Sequence, residues 1–323
     1  MERNLDVPLS RSYLTRIGLD SPSLRIPEPR QSIIAPLWSL EDADTVLRQA
    51  TSLAEPLQAS VRLVNIRPPD PLDNEDVVVV DDGKSIDFRS RHSDQLSALV
   101  KRWSRQTSVD ISVTHRTSSD VVNVLAKELD RRQGFVLVQQ ESASWWSRLW
   151  RPNWVQKVIN APFPVLVLPS QWQDNWPRSN RQLRVVVSVS DDKASGVHTV
   201  LPITGPEAQY TLLRVLPLWL LESMQWEQSP LDGSLPPAGH ARNEAWRYLH
   251  NSRTEVERAG GTAETAVVFD GATAGKAILS QADARQADLV VIARRRRLLP
   301  RLYHCDWQYL AMNSKRPVLL HSA

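Results

Sequence analysis

Cysteine is nearly absent: Cys305 is the single one in 323 residues. An intramolecular disulfide is therefore excluded, and such usage fits a reducing compartment. Long apolar runs are absent too, since no stretch reaches the roughly eighteen residues that a membrane-spanning helix needs. Residues 1–30 alternate polar, charged and proline residues and have no apolar centre of the kind a signal peptide carries. A cytoplasmic location is the expectation. The main catalytic signatures are missing: there is no G-x-S-x-G elbow, no Walker lysine loop and no H-E-x-x-H helix. His304-Cys305-Asp306 has metal-ligand residue types, but adjacent side chains do not readily face one ion, and no C-x2-C or H-x3-H partner accompanies them. No metal site is expected.

What is present is ordinary globular composition, 41% hydrophobic and 23% charged, enough for a core in each of two domains. The length exceeds the usual single domain of about 100–200 residues. A net charge of +3 is too weak to imply nucleic acid, and no basic-aromatic stripe runs along one helix. Twelve tryptophans are less usual, and Trp145, Trp146, Trp150, Trp154, Trp172 and Trp176 cluster in mid-chain.

A repeat organises the chain. Trp154, Asn160 and Pro164-Val165-Leu166 follow the pattern W-x5-N-x3-P-V-L, and Trp307, Asn313 and Pro317-Val318-Leu319 follow it with identical gaps. Upstream, the apolar runs at Phe135–Val138 and Leu289–Ile292 stand at nearly the same distance from these tryptophans, and those around Val113 and Val267 precede them equally. Three matched landmarks indicate a duplication.

Each copy parses into alternating strands and helices. Strands are expected at Ile33–Pro36, Val61–Ile66, Ile111–His115, Phe135–Val138 and Val165–Leu168, then at Val185–Val189, Thr211–Val215, Thr265–Phe269, Leu289–Ile292 and Val318–Leu320. They are short, β-branched and nearly continuous in apolar character, as strands buried on both faces are. Helical spacing marks Leu40–Leu57, Asp94–Arg105, Val121–Leu129, Arg242–Glu257 and Ala272–Ala284. Such alternation predicts a parallel, doubly wound α/β sheet in each copy. The domains read as 31–170 and 183–323, with an N-terminal tail over 1–30 and a polar linker over 171–182. Pro68–Arg91 reads equally as a local hairpin or a surface loop. Pro217–His240, broken by prolines, is a similar excursion, and the Asp-Gly steps at 82 and 270 read as turns.

This strand pattern, with its closing Pro-Val-Leu strands at 164–166 and 317–319, resembles the universal stress protein family in its tandem form, over about residues 31–323. The resemblance implies a five-stranded parallel sheet per domain, adenine nucleotide alpha hydrolase-like, with the closing strand at the sheet edge. In dimers of that family the closing strands pair across subunits. The two closing strands here are apolar and almost uncharged, a hazardous composition for an open edge. An intramolecular pseudo-dimer joined through them is the expectation.

Nucleotide-binding members of the family carry a G-x2-G-x9-G-[ST] loop after the fourth strand, because only glycine lets backbone amides approach phosphates closely. The corresponding segments, Gln139–Phe163 and Ala293–Arg316, contain no glycine. Family members also place an Asp at the end of the first strand; the matching positions are about Trp38 in copy one and Ser190, followed by Asp191 and Asp192, in copy two. Nucleotide binding is therefore not expected in copy one. In copy two, Arg294, Arg295, Arg296 and Arg297 follow the fourth strand at the crevice where open parallel sheets bind ligands. They read either as an anion site, supported by Ser190, Asp191, Asp270 and Gly271, or as a solvated basic turn. The Trp/Arg run 144–154 reads as a lid or interdomain contact in preference to a base-stacking or membrane-surface element. Trp154 and Trp307 read as fold signatures with no assigned chemistry. The functional expectation is a non-catalytic stress-response protein that binds a protein partner or a small anionic metabolite, with no resident cofactor. The alternative is a nucleotide or phosphate sensor, ATP included, working through the second domain. No membrane span and no specific nucleic acid are expected, and a further homodimer is compatible.

Overall fold

The computed structural model describes residues 31–37, 40–67, 79–81, 84–86, 88–129, 134–140, 154–172, 182–190, 196–220, 237–271, 273–294 and 306–322. The tail 1–30, most of the expected linker and the Trp/Arg run up to residue 153 lie outside them.

The apolar runs form the strands of one sheet. In the first half these are β1 (Ser32–Leu37), β2 (Ser60–Arg67), β5 (Ile111–Thr117), β6 (Gly134–Gln139) and β7 (Val165–Leu168). In the second they are β8 (Arg184–Ser188), β9 (Gln209–Pro217), β10 (Thr262–Asp270), β11 (Leu289–Arg294) and β12 (Val318–Ser322). The order is β10-β9-β8-β11-β12-β7-β6-β1-β2-β5. Each half thus arranges its closing, fourth, first, second and third strands identically, and the pairs of this sheet within a half are parallel.

The expected pairing of the closing strands is present. β12 runs antiparallel to β7, with Val318 opposite Val167, Leu319 opposite Leu166 and Leu320 opposite Val165. All six side chains are buried. The two edges most prone to aggregation cover each other, leaving β5 and β10 as the outer strands of the sheet.

Helices cover both faces. Successive strand residues point to opposite faces, so Ile33, Leu63, Val187 and Leu212 join one core while Ile34, Val64, Val186 and Leu213 join the other. The first core packs under α1 (Leu40–Leu57), α2 (Phe88–Gln106), α5 (Val197–Thr204) and α6 (Pro237–Arg258). The second packs under α3 (Val121–Leu129), α4 (Trp154–Ile159), α7 (Ala274–Ala284) and α8 (Asp306–Asn313). In α1 the buried Ala43, Leu47, Ala50, Leu53 and Ala54 recur at helical spacing on one stripe. Where β6 starts beside β1, a Cβ on Gly134 would lie 2.1 Å from the Ser32 carbonyl oxygen, so only glycine admits this pairing.

The expected helices over 40–57 and 121–129 appear with those bounds, and the others differ at their ends. Helix α7 starts at Ala274 because Thr273 is its N-cap, with Oγ1 accepting from Lys276 N at 3.4 Å. The open choice over Pro68–Arg91 includes a hairpin: β3 (Val79–Asp81) pairs antiparallel with β4 (Lys84–Ile86). Neither α4 nor α8 has a counterpart among the sequence expectations, and neither has α5. The eight residues of α5 are mostly apolar and contain Pro202, so no amphipathic stripe announces it. No helix among the described residues is long and apolar enough to cross a membrane.

Candidate functional site

A cavity of about 320 Å³ opens in the second half at the C-terminal ends of β8, β9, β10 and β11. Parallel sheets leave a crevice there, where strands stop and connections diverge to opposite faces. Its lining includes Ser188, Val189 and Ser190 at the end of β8, Arg214 and Leu216 of β9, and Asp270 of β10. Ala274 and Ile278 of α7, Ala293 of β11, and Asp306 and Trp307 of α8 complete the walls.

Local contacts fix these walls. The Asp306 carboxylate accepts from the Gly275 amide at 3.3 Å, joining the start of α8 to the start of α7. A Cβ at Gly275 would meet Tyr309 Cδ1 at 2.8 Å, so the glycine allows the two helices to touch. Arg214 is embedded in the apolar strand Leu212–Leu216. One terminal nitrogen donates to the Val189 carbonyl at 3.0 Å, and the guanidinium lies 5.6 Å from the centre of the Tyr248 ring. Burial lowers the Arg214 pKa below the usual guanidinium value, while Tyr248 and Glu244 act the other way.

Three lining residues hold polar atoms that are closed to water and have no hydrogen-bond partner among the described residues: Ser190 Oγ, Arg214 Nε and Trp307 Nε1. All three can donate, and an unmet buried donor costs about 1–3 kcal/mol. Their concentration around one cavity favours a ligand rich in acceptor atoms. The acceptor-bearing Asp270 and Asp306 sit in the same lining.

The residues expected from the sequence separate. Ser190 and Asp270 line the cavity. Gly271 is exposed just beyond β10, against Leu218. Asp191 and Arg295, Arg296 and Arg297 lie outside the described residues, as do Trp38, His304 and Cys305. Arg294 requires a correction: it does not line the cavity and its guanidinium is not presented to an anion. That group is buried and crosses to the first half, donating to the Ile159 carbonyl at 2.8 Å and to the Phe163 carbonyl. Burial lowers its pKa to about 10. The reason for the difference is geometric. Arg294 is the last residue of β11, still inside the sheet, so its side chain meets the neighbouring half before it meets solvent.

Sequence reasoning missed Arg214 and assigned no chemistry to Trp307. The available signal was a lone charge inside an apolar strand, Leu-Leu-Arg-Val-Leu over 212–216. The first half has no cation at the matching position. Register places Asn65 of β2 where β9 has Arg214. Asn65 is buried and bonded to His115 Nδ1 of β5 at 3.1 Å, and the other ring nitrogen lies 3.5 Å from Ser93 Oγ. On the other face of the sheet, the buried carboxylate of Glu128 in α3 receives Arg62 at 2.7 Å and Arg116 at 2.6 Å. Burial alone would raise the Glu128 pKa, but the two arginines outweigh it and hold it below the ordinary value. No group of three or more metal-ligating side chains occurs among the described residues.

No protein-family model and no curated protein matches the sequence. Solved structures match the fold. A universal stress protein from Archaeoglobus fulgidus superimposes with a TM-score of 0.61 at 14% identity, over 90% of this chain and 98% of that one. A functionally unknown protein from Pseudomonas aeruginosa gives a TM-score of 0.52 at 14% identity, over 91% of this chain and 92% of that one. Likeness at this identity is a likeness of fold, and both matches extend over the two halves. The doubled α/β sheet of this chain is similar to that of a universal stress protein.

Proposed function

We propose that the chain is a non-catalytic binding protein of the universal stress type, whose second half takes up a small, acceptor-rich anionic ligand in the cavity beyond β8–β11. The observation that carries this reading is the set of buried, unmet donors on Ser190, Arg214 and Trp307 around one cavity. Its anchor is Arg214, in place of the arginine run after β11. Phosphate recognition through a glycine-rich loop does not suit this chain, because the segments after β6 and β11 contain no glycine. A buried guanidinium, an indole N–H and a hydroxyl supply the donors instead. The cavity suits a phosphorylated metabolite or a nucleotide fragment.

The test is thermal shift and calorimetry of the intact chain with millimolar inorganic phosphate, pyrophosphate, AMP and ATP. A saturable rise in Tm with at least one probe, weakened in Arg214→Lys, supports the reading. Absence of any shift across the panel refutes it.

A protein partner is the second reading, favoured by the exposure of Trp219 (62%) and Trp246 (41%), since large exposed aromatics are enriched at interfaces. Trp219→Ser and Trp246→Ser should then abolish partner capture without touching ligand binding.

A further inference from the structure

Two walls of the second-half cavity are each tied to the first half. The end of β11 supplies Ala293 to the lining, and the next residue, Arg294, sends its buried guanidinium to the carbonyls of Ile159 and Phe163. Ile159 is the last residue of α4, where unpaired carbonyls and the helix dipole favour a cation. The start of α8 supplies Asp306 and Trp307, and one turn later its Ala311 carbonyl accepts from the side-chain amide of Gln140.

Gln140 follows β6 in the first half as Arg294 ends β11 in the second. Val136 of β6 pairs with Val165, Val290 of β11 pairs with Val318, and both seam residues stand four positions further on. The duplication has therefore produced a reciprocal pair. Each half extends one polar side chain across the β7–β12 seam to a backbone carbonyl at or near the helix that precedes the other half's closing strand. The pair is unequal: the arginine is buried at 8% exposure and makes two bonds, whereas the half-buried glutamine makes one. In the second half both seam bonds bear on walls of the cavity.

We propose that Gln140 and Arg294 are positioning residues for the second-half cavity: the first half acts as a buttress that sets where Trp307 and Ala293 stand. For its consequence on affinity this inference rests on the cavity being a ligand site. The structural part stands without it. Displacing α8 by even a fraction of an ångström moves the Trp307 indole relative to Ser190 and Arg214, because packed side chains shift with the helix that carries them. The first half, lacking a cation at Asn65, then contributes to binding through support of its neighbour.

The experiment labels the full chain with 5-fluorotryptophan and assigns the Trp307 fluorine resonance through Trp307→Phe. In Gln140→Leu, which keeps the bulk and removes the amide, the Trp307 resonance moves beyond its linewidth. That of Trp246, on α6 across the sheet, stays in place. Gln140→Asn, one methylene too short to reach Ala311, gives the same pattern and serves if the leucine variant does not fold. Leu47→Ala, on the buried stripe of α1 in the first-half core, controls for general loosening and leaves Trp307 unmoved. An unmoved Trp307 resonance in both Gln140 variants overturns the proposal, and so does an equal movement in Leu47→Ala. Calorimetry with ATP and with pyrophosphate then reads the consequence, a loss of affinity of about 3–10-fold in Gln140→Leu. Failure of the wild-type chain to bind either probe counts against the cavity as a ligand site, while the fluorine spectra still decide the seam.

Discussion

Replacing Ser190 by alanine should make the empty protein more stable and the liganded one weaker. Ser190 stands just beyond β8, lines the cavity, and buries an Oγ with no partner among the described residues. Leaving a hydroxyl unmet and closed to water costs about 1–3 kcal/mol. Ser190→Ala removes that cost and leaves a void smaller than a methyl group, which offsets part of the gain. The net expectation is a stabilisation of about 1 kcal/mol, or roughly 1.5 °C in Tm for a chain of this size. Differential scanning calorimetry reads the Tm. Urea titration checks that the m-value is unchanged, so that the gain belongs to the folded state. With a probe that binds, the same substitution should lower affinity by about tenfold, the worth of one hydrogen bond to a charged acceptor. The opposite signs are the point of the experiment, because removing a hydroxyl engaged only within the protein would lower the Tm and leave the affinity unchanged. A fall in the Tm of the empty protein by a degree or more would refute the reasoning.

Two further predictions concern buried polar groups. Glu128→Gln should destabilise the chain by about 2–3 kcal/mol in urea titration at neutral pH, below the ~3–5 kcal/mol usual for a fully buried pair. The discount follows because its partners Arg62 and Arg116 are 18% and 40% exposed and regain water. Since the folded pKa of Glu128 lies below its unfolded value, this stabilisation is present above about pH 4.5 and is lost as pH falls through the lower, folded value. The difference between wild type and Glu128→Gln should therefore shrink in acid, and a gap independent of pH would count against the ion pairs. Tyr210 shows the opposite sign. Burial pushes its pKa up from 10.0 to about 12, and its hydroxyl bonds to the Gly205 carbonyl and Thr204 Oγ1, each at 2.6 Å. Its contribution is complete below pH 10 and lost as pH rises toward 12. Wild type should lose more stability over that interval than Tyr210→Phe, by an amount on the order of 2 kcal/mol, followed by urea midpoints at each pH.

Most of the fold was legible in the sequence because its signals are local. Apolar runs such as Phe135–Val138 and Val165–Leu168 report burial on both faces, and the helical stripe of Leu40–Leu57 reports a single buried face. The edge pairing of Val165–Leu168 with Val318–Leu320 could also be argued in advance, since two uncharged edges of one chain relieve each other. Helix α5 was hidden by its uniform apolarity and internal proline. The candidate site was only half legible. Ser190 was reached through the family resemblance and Asp270 by its place after the third strand, and both line the cavity. The arginine run after β11 drew attention through charge density, yet Arg294 serves the seam and Arg214, a single residue, lies at the cavity.

The sequence by itself determined the alternation of strands and helices, the duplication and the apolar closing strands, since periodicity and spacing are carried along the chain. Only the tertiary structure decided which cation lies beside the cavity, which one crosses the seam, and which donors are left unmet. Those outcomes depend on what lies across the sheet from a residue. Arg214 and Arg294 are both arginines of apolar strands, one inside β9 and the other at the end of β11, and their neighbours in space, Val189 and Tyr248 for one and the carbonyls of Ile159 and Phe163 for the other, set their roles.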